Sequence, residues 1–251
     1  MFRKRASFFG EIGWYRAFAS CLLMVSNTGF FVFIRYDTGE DNMPFVIAIS
    51  GASGSGKSTL SAALSDYLTE HGGCGSSDVC PTADGCLNRG SRVAVIPADR
   101  YFRPELPKMI SPADGKEYSD WNSPESVDYD ALCDAVAAAR DSSEYEYVIV
   151  EGVTILCDER LRQLADLKIY VDASIEMRIY RRIARNVVEK KQTIEFIGGY
   201  YLKCARYREA EYSLPSAKYA DMHVDNEWGF DINEIGAGVV KTLINGEGSN
   251  N

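Results

Sequence analysis

Five apolar, β-branched runs punctuate the chain: "PFVIAIS" (44–50), "RVAVIPAD" (92–99), "YVIVEG" (147–152), "LKIYVDA" (167–173) and the weaker "ADMHVDN" (220–226). The first opens on Pro44 and closes on Gly51, the profile of a strand buried on both faces, and the next three read the same way. Helical spacing appears between them. Leu60, Leu64, Tyr67 and Leu68 make one apolar stripe, ended by Gly72-Gly73; Val127, Ala131, Leu132, Ala135 and Val136 make another. Strands alternating with helices predict an α/β domain with a mostly parallel sheet covered on both sides.

Two segments break this order. Residues 71–91, "HGGCGSSDVCPTADGCLNRGS", are rich in Gly, Ser and Cys and read as a surface-loop insertion. His71, Cys74, Cys80 and Cys86 could ligate zinc, but their spacing is not that of a compact zinc finger, so the loop is expected to bind no metal. Residues 1–43 form an N-terminal extension that opens "MFRKRASFFGEIGWYR" and then runs without charge from Ala17 to Ile34. Eighteen uncharged residues lie at the lower edge of a bilayer span, and Ser20, Ser26, Asn27, Thr28 and Gly29 dilute them. The extension is a possible targeting or anchor segment; membrane contact is expected only if it anchors, and otherwise the location is cytoplasmic. Residues 44–245 make the domain proper, and 246–251 a flexible tail. A net charge of −9 argues against a nucleic-acid groove, and seven scattered cysteines suit reduced thiols better than a disulfide framework. Oligomeric state is not legible.

The chemistry begins at "ISGASGSGKST" (49–59). Gly51, Ser53, Gly54, Ser55, Gly56, Lys57, Ser58 and Thr59 fall after a buried strand and before an amphipathic helix, in the pattern G-x-x-x-x-G-K-[ST]. Glycines let successive backbone N–H groups turn inward on an anion, and the helix start adds its partial positive charge. Lys57 can reach the β- and γ-phosphates, and the Ser58 hydroxyl can ligate Mg²⁺. This predicts a nucleoside-triphosphate site. The guanine-reading N-K-x-D is absent.

Asp99, at the mouth of the second strand in "IPADRYFRP", is a candidate base for an attacking hydroxyl; a local ion pair with Arg100 is the plain alternative. Glu151 ends the next strand and could hold magnesium through a water, or merely cap the turn. On "SIEMRIYRRIARNVVEKK" (174–191), Arg178, Arg181, Arg182 and Arg185 share an arc of about 100° beside Ile175, Ile179 and Ile183. That face predicts a helix closing over triphosphate, with an Arg185–Glu189 pair as the simpler reading.

Taken in order, these blocks resemble the uridine kinase-like family of P-loop nucleoside kinases, over residues 44 to 226. "GASGSGKST" is similar to its phosphate loop and "DRYFR" to its D-x-[FY]-[FY]-R element; "WNSPESVD" (121–128), "VIVEG", "DERLRQLADLKIYVDA", "RIYRRIARN" and "LPSAKYAD" follow. The resemblance implies a P-loop three-layer α/β/α sandwich with a mostly parallel five-stranded sheet and a helical lid at 174–192. It implies ATP and Mg²⁺, and phosphoryl transfer to the 5′-hydroxyl of a ribonucleoside partner. Carried over by position, Asp99 is the base, Lys57 and Glu151 serve catalysis, and Arg178 and Arg182 are lid or substrate-side arginines. Arg181 and Arg185 face ATP, Ser58 and Glu151 the metal, and Phe102, Trp121 and Asn122 the substrate.

Three departures stand out. Asn122 replaces the aspartate that usually grips the ribose diol, and Asn186 and Lys190-Lys191-Gln192 replace the commoner Asp and Arg-Gly-Arg of the lid. The pyrimidine-reading hairpin with Tyr and His, which the family places between "PESVD" and "VIVEG", is missing. Nicotinamide riboside kinases, which lack that hairpin and carry a DW-x-x-PE segment, are therefore the neighbouring reading. A nucleotide-binding regulator without catalysis is the alternative from another class.

Overall fold

The computed structural model describes residues 20–25, 30–35, 43–71 and 92–227, together with Val239. Strands β1 (Ser20–Val25) and β2 (Phe30–Arg35) pair antiparallel in a hairpin. The described residues of the uncharged stretch expected as a candidate span are thus strand, not helix. No helix among the described residues is long and apolar enough to cross a membrane. The cysteine-rich loop 72–91 and the tail 246–251 lie outside the described residues.

The domain follows in the expected order. Strand β3 (Phe45–Ser50) leads into helix α1 (Lys57–His71), and β4 (Val93–Pro97) into a short 3₁₀ turn at Ala98–Tyr101. A hairpin of β5 (Lys108–Ile110) and β6 (Glu117–Ser119) comes next, which the sequence did not announce. Then come α2 (Tyr129–Arg140), β7 (Tyr147–Glu151), α3 (Glu159–Leu164) and β8 (Leu167–Asp172). The lid helix α4 (Ile175–Glu189) and α5 (Ile194–Tyr200) precede a helical run to Tyr219, and β9 (Met222–Asp225) closes the sheet.

The five main strands lie in the order β4-β7-β3-β8-β9, all pairs parallel. This is the expected mostly parallel five-stranded sheet. The pleat sends Val46, Ala48, Val148, Val150 and Tyr170 to one face, against Leu132 and Val136 of α2 and Leu156 and Leu161. Ile47, Ile49, Ile149, Ile169 and Val171 meet Leu60, Leu64 and Leu68 of α1 on the other. Those three leucines are fully buried, so the stripe read from spacing is the packed one. In α2 the stripe narrows: Val127 lies before the helix, and Ala131 faces solvent. Asp128 caps that helix, accepting from the Ala131 N–H at 3.2 Å.

The apolar stripe expected on α4 is not core. Ile175 is half-exposed and Ile179 and Ile183 are only partly covered, so this helix lies over the sheet edge rather than inside a layer. Both neighbours of β3 run parallel to it, and their carboxyl ends converge where its own chain turns into α1. That convergence is the usual ligand crevice of an open α/β sheet.

Candidate active site

The phosphate loop occupies that crevice. Gly54 has φ +86° and Gly56 φ +103°, a region that favours glycine, and both are also crowded. A Cβ on Gly54 would sit 2.5 Å from the Arg178 carbonyl oxygen, and one on Gly56 would sit 2.1 Å from Asn226 Nδ2. Asn226, just past β9, donates from Nδ2 to the Ser55 carbonyl at 2.7 Å. Its own carbonyl accepts from Arg181 Nη1 at 2.8 Å. Arg181 therefore braces the loop from behind and is not among the residues lining the cavity.

Lys57 is buried and donates from Nζ to the Ala52 carbonyl at 3.2 Å. Burial pulls its pKa below the ordinary range, against the attraction of Glu151 and Asp99. The Ser58 hydroxyl donates to Glu151 Oε1 at 3.0 Å, so the two residues expected at the metal stand together. Burial raises the Glu151 carboxyl, opposed by Lys57 and by the Ser58 hydrogen bond. A hydroxyl beside a carboxylate is the hard oxygen donor set that suits Mg²⁺. Ser55 Oγ and the Nε and Nη1 atoms of Arg182 are buried without a protein partner, which fits a site built for an anion. Gly51 and Ser53 complete the loop, with Ser53 lining the cavity; Thr59 is exposed on the first turn of α1.

The adjoining cavity, about 590 Å³, is lined by Asp99, Phe102, Trp121, Asn122, Arg182 and Arg185 among others. Asp99 projects from the turn after β4, close enough to Lys57 and Glu151 to act on both electrostatically. Phe102 meets Trp121 edge-on, ring centroids 5.3 Å apart. Residues the sequence did not single out complete the walls: Tyr118 and Ser119 from the small hairpin, Val153, and Phe196, Ile197 and Tyr200 from α5. Tyr200 ties the acceptor side together. Its hydroxyl donates to the Ser119 carbonyl at 3.1 Å and accepts from the Trp121 N–H at 3.2 Å and Asn122 Nδ2 at 3.3 Å. Arg182 lies over the Tyr200 ring, 5.6 Å from its centroid. Burial lowers the Arg182 pKa.

The four arginines of α4 thus divide, although they share a face. Arg182 and Arg185 line the cavity, and Arg185 also donates from Nε to Asn186 Oδ1 at 3.1 Å. The expectation for Arg178 is corrected. Its guanidinium is 3% exposed, donates to the Ala173 carbonyl and pairs with Glu209 Oε2 at 2.8 Å, so it is engaged inside the protein and not in the cavity.

A loop built for polyphosphate, with a carboxylate across an aromatic cavity, defines a nucleotide-dependent phosphotransferase. Residues 46–228 match the family model "Phosphoribulokinase / Uridine kinase family", and the chain belongs to that family. By that membership it is a phosphotransferase with an alcohol acceptor. Among curated relatives, the chain is 28% identical over 207 residues to the uridine kinase of Limosilactobacillus reuteri (strain DSM 20016), covering 74% of this chain and 84% of that one. It is 26% identical over 215 residues to the uridine kinase of Lactiplantibacillus plantarum, covering 75% and 92%. Among solved structures, it is similar to a possible uridine kinase from Bacillus stearothermophilus, with TM-score 0.45, 18% identity and coverage of 75% and 92%.

Proposed function

We propose that the protein is an ATP-dependent nucleoside kinase that transfers the γ-phosphoryl group to the 5′-hydroxyl of a ribonucleoside. The observation that carries this reading is that Asp99 lines the same cavity as Ser53 and Arg182, within electrostatic reach of Lys57 and Glu151. The loop would take the triphosphate, with Lys57, Ser55 Oγ and the unpartnered Arg182 Nε and Nη1 available to its oxygens. Ser58 and Glu151 would hold Mg²⁺, which would supply charge neutralisation on the phosphates. Asp99 accepts the proton of the acceptor hydroxyl while that oxygen bonds to the γ-phosphorus and the bond to ADP breaks. Phe102 and Trp121 offer aromatic faces to a planar base. The uridine kinase relatives support a nucleoside acceptor.

The test is ADP release from Mg–ATP by purified protein with a panel of ribonucleosides, nicotinamide riboside included. Turnover with a nucleoside upholds the reading. Tight ATP binding with no turnover on any acceptor identifies a nucleotide-binding regulator instead.

A further inference from the structure

The helical run after α5 contains two π-helical stretches, Tyr201–Ala205 and Glu209–Ser213, joined by a single α turn, Arg206–Arg208. Such stretches are rare and often occur at functional sites. Here Arg208 and Glu209, adjacent residues of opposite charge, stand where the α turn passes into the second of them, and reach in different directions.

Arg208 reaches towards the acceptor. Its Nε pairs with Asp120 Oδ2 at 2.6 Å, and the Asp120 side chain is completely buried. The other oxygen, Asp120 Oδ1, accepts the Asn122 and Ser123 N–H groups at 3.0 and 3.1 Å. Those two bonds fix the turn that carries Trp121 and Asn122 into the cavity wall.

Glu209 reaches towards the phosphate loop. It holds the guanidinium of the buried residue Arg178, and the backbone carbonyl of Arg178 lies against Gly54. Neither Arg208 nor Glu209 lines the cavity. Arg208 is partly exposed and also pairs with exposed Glu211, but the carboxylates of Asp120 and Glu209 are both buried; a buried ion pair is poor value as stability alone, since apolar side chains of similar volume often serve as well.

We propose that Arg208 and Glu209 form a crossbar that sets the two substrate sites separately: Arg208 positions the acceptor wall through Asp120, and Glu209 positions the phosphate loop through Arg178. Both are positioning residues, and the assignment rests on the kinase reading.

Removing either side chain outright risks misfolding, so the informative variants are Arg208→Lys, which keeps the charge but loses the planar fork, and Glu209→Gln, which keeps the shape. Each is measured in the full chain for its Kd for Mg–ADP, its KM for the best acceptor and its melting temperature. Arg208→Lys should raise the acceptor KM about tenfold and leave the Mg–ADP Kd within about twofold of wild type. Glu209→Gln should do the reverse. Parallel changes in both constants, or none in either, overturn the crossbar. If the wild type turns over no acceptor, the kinase reading fails by itself. Mg–ADP affinity then tests Glu209, and Trp121 emission, taken as the difference from the same protein carrying Trp121→Phe, tests Arg208. Unaltered emission in Arg208→Lys, or unaltered affinity in Glu209→Gln, refutes the corresponding half.

Discussion

At the residue scale the site depends on carboxylates placed with different exposures. Asp99 is exposed to the cavity, whereas Glu151 is buried beside Ser58. Asp99→Asn keeps the shape but removes the oxygen proposed to take the acceptor's proton, so it should lower kcat about 100-fold while the Kd for Mg–ADP stays near wild type, read by steady-state kinetics and calorimetry. Glu151 carries a different signature. Its pKa in the folded protein lies above the ordinary 4.5. As pH rises from 4.5, the unfolded chain releases this proton before the folded one does. The folded state then binds more protons, and stability falls until the folded pKa is passed. Glu151→Gln should flatten that part of the nucleotide-free melting profile, measured by thermal denaturation across a pH series. A profile unchanged by the substitution would show that Glu151 is not held above its usual range.

Elements show where sequence reasoning ran out. The five strands were legible because parallel strands buried on both faces must be continuous apolar runs, and the phosphate loop because its spacing allows few alternatives. The lid helix was legible as a helix but not in its partners. Periodicity assigns Arg178 and Arg182 to one face, yet only the packed chain shows that Glu209 claims one of them. Tyr200 gave no local signal at all, since its role comes from Ser119, Trp121 and Asn122, about 80 positions away. The β5–β6 hairpin escaped because three-residue strands hold too little pattern. One feature was half-visible: Lys191 stands where the resemblance leads one to expect glycine, and it sits just past α4 at φ +54°. A left-handed conformation costs a side-chain-bearing residue about 1–2 kcal/mol. Glycine's extra freedom in the unfolded chain returns about 0.4–1 kcal/mol of that. Lys191→Gly should therefore stabilise the domain by about 0.5 kcal/mol, a rise in Tm of about 1–2 °C. A fall in Tm would place the strain elsewhere.

On the scale of the whole molecule, one strand connects everything. β3 lies at the centre of the sheet, contributes to both faces of the core and ends in the loop that grips phosphate. Ligand binding at that loop should therefore be felt by the entire domain in a single transition. Mg–ADP at 100 times its Kd adds about 2.7 kcal/mol to the folded state, which corresponds to about 5–11 °C in Tm for a domain of this size. Lys57→Ala should remove most of this shift, as seen by calorimetry with and without nucleotide.

The first half of the lid helix is fastened to the body of the domain. Glu227 accepts the Ser174 N–H and hydroxyl at its start, Glu209 clasps Arg178, and Asn226 holds Arg181. Beyond them Arg182, Arg185 and Asn186 line the cavity, and the buried Asn186 donates from Nδ2 to Gln192 Oε1 at 2.9 Å. Its second half is tied to the α5 side instead, through Asn186 and Gln192. Any movement of the α5 side should therefore carry Arg182 and Arg185 with it, while the first two turns of the helix keep their grip on the phosphate loop.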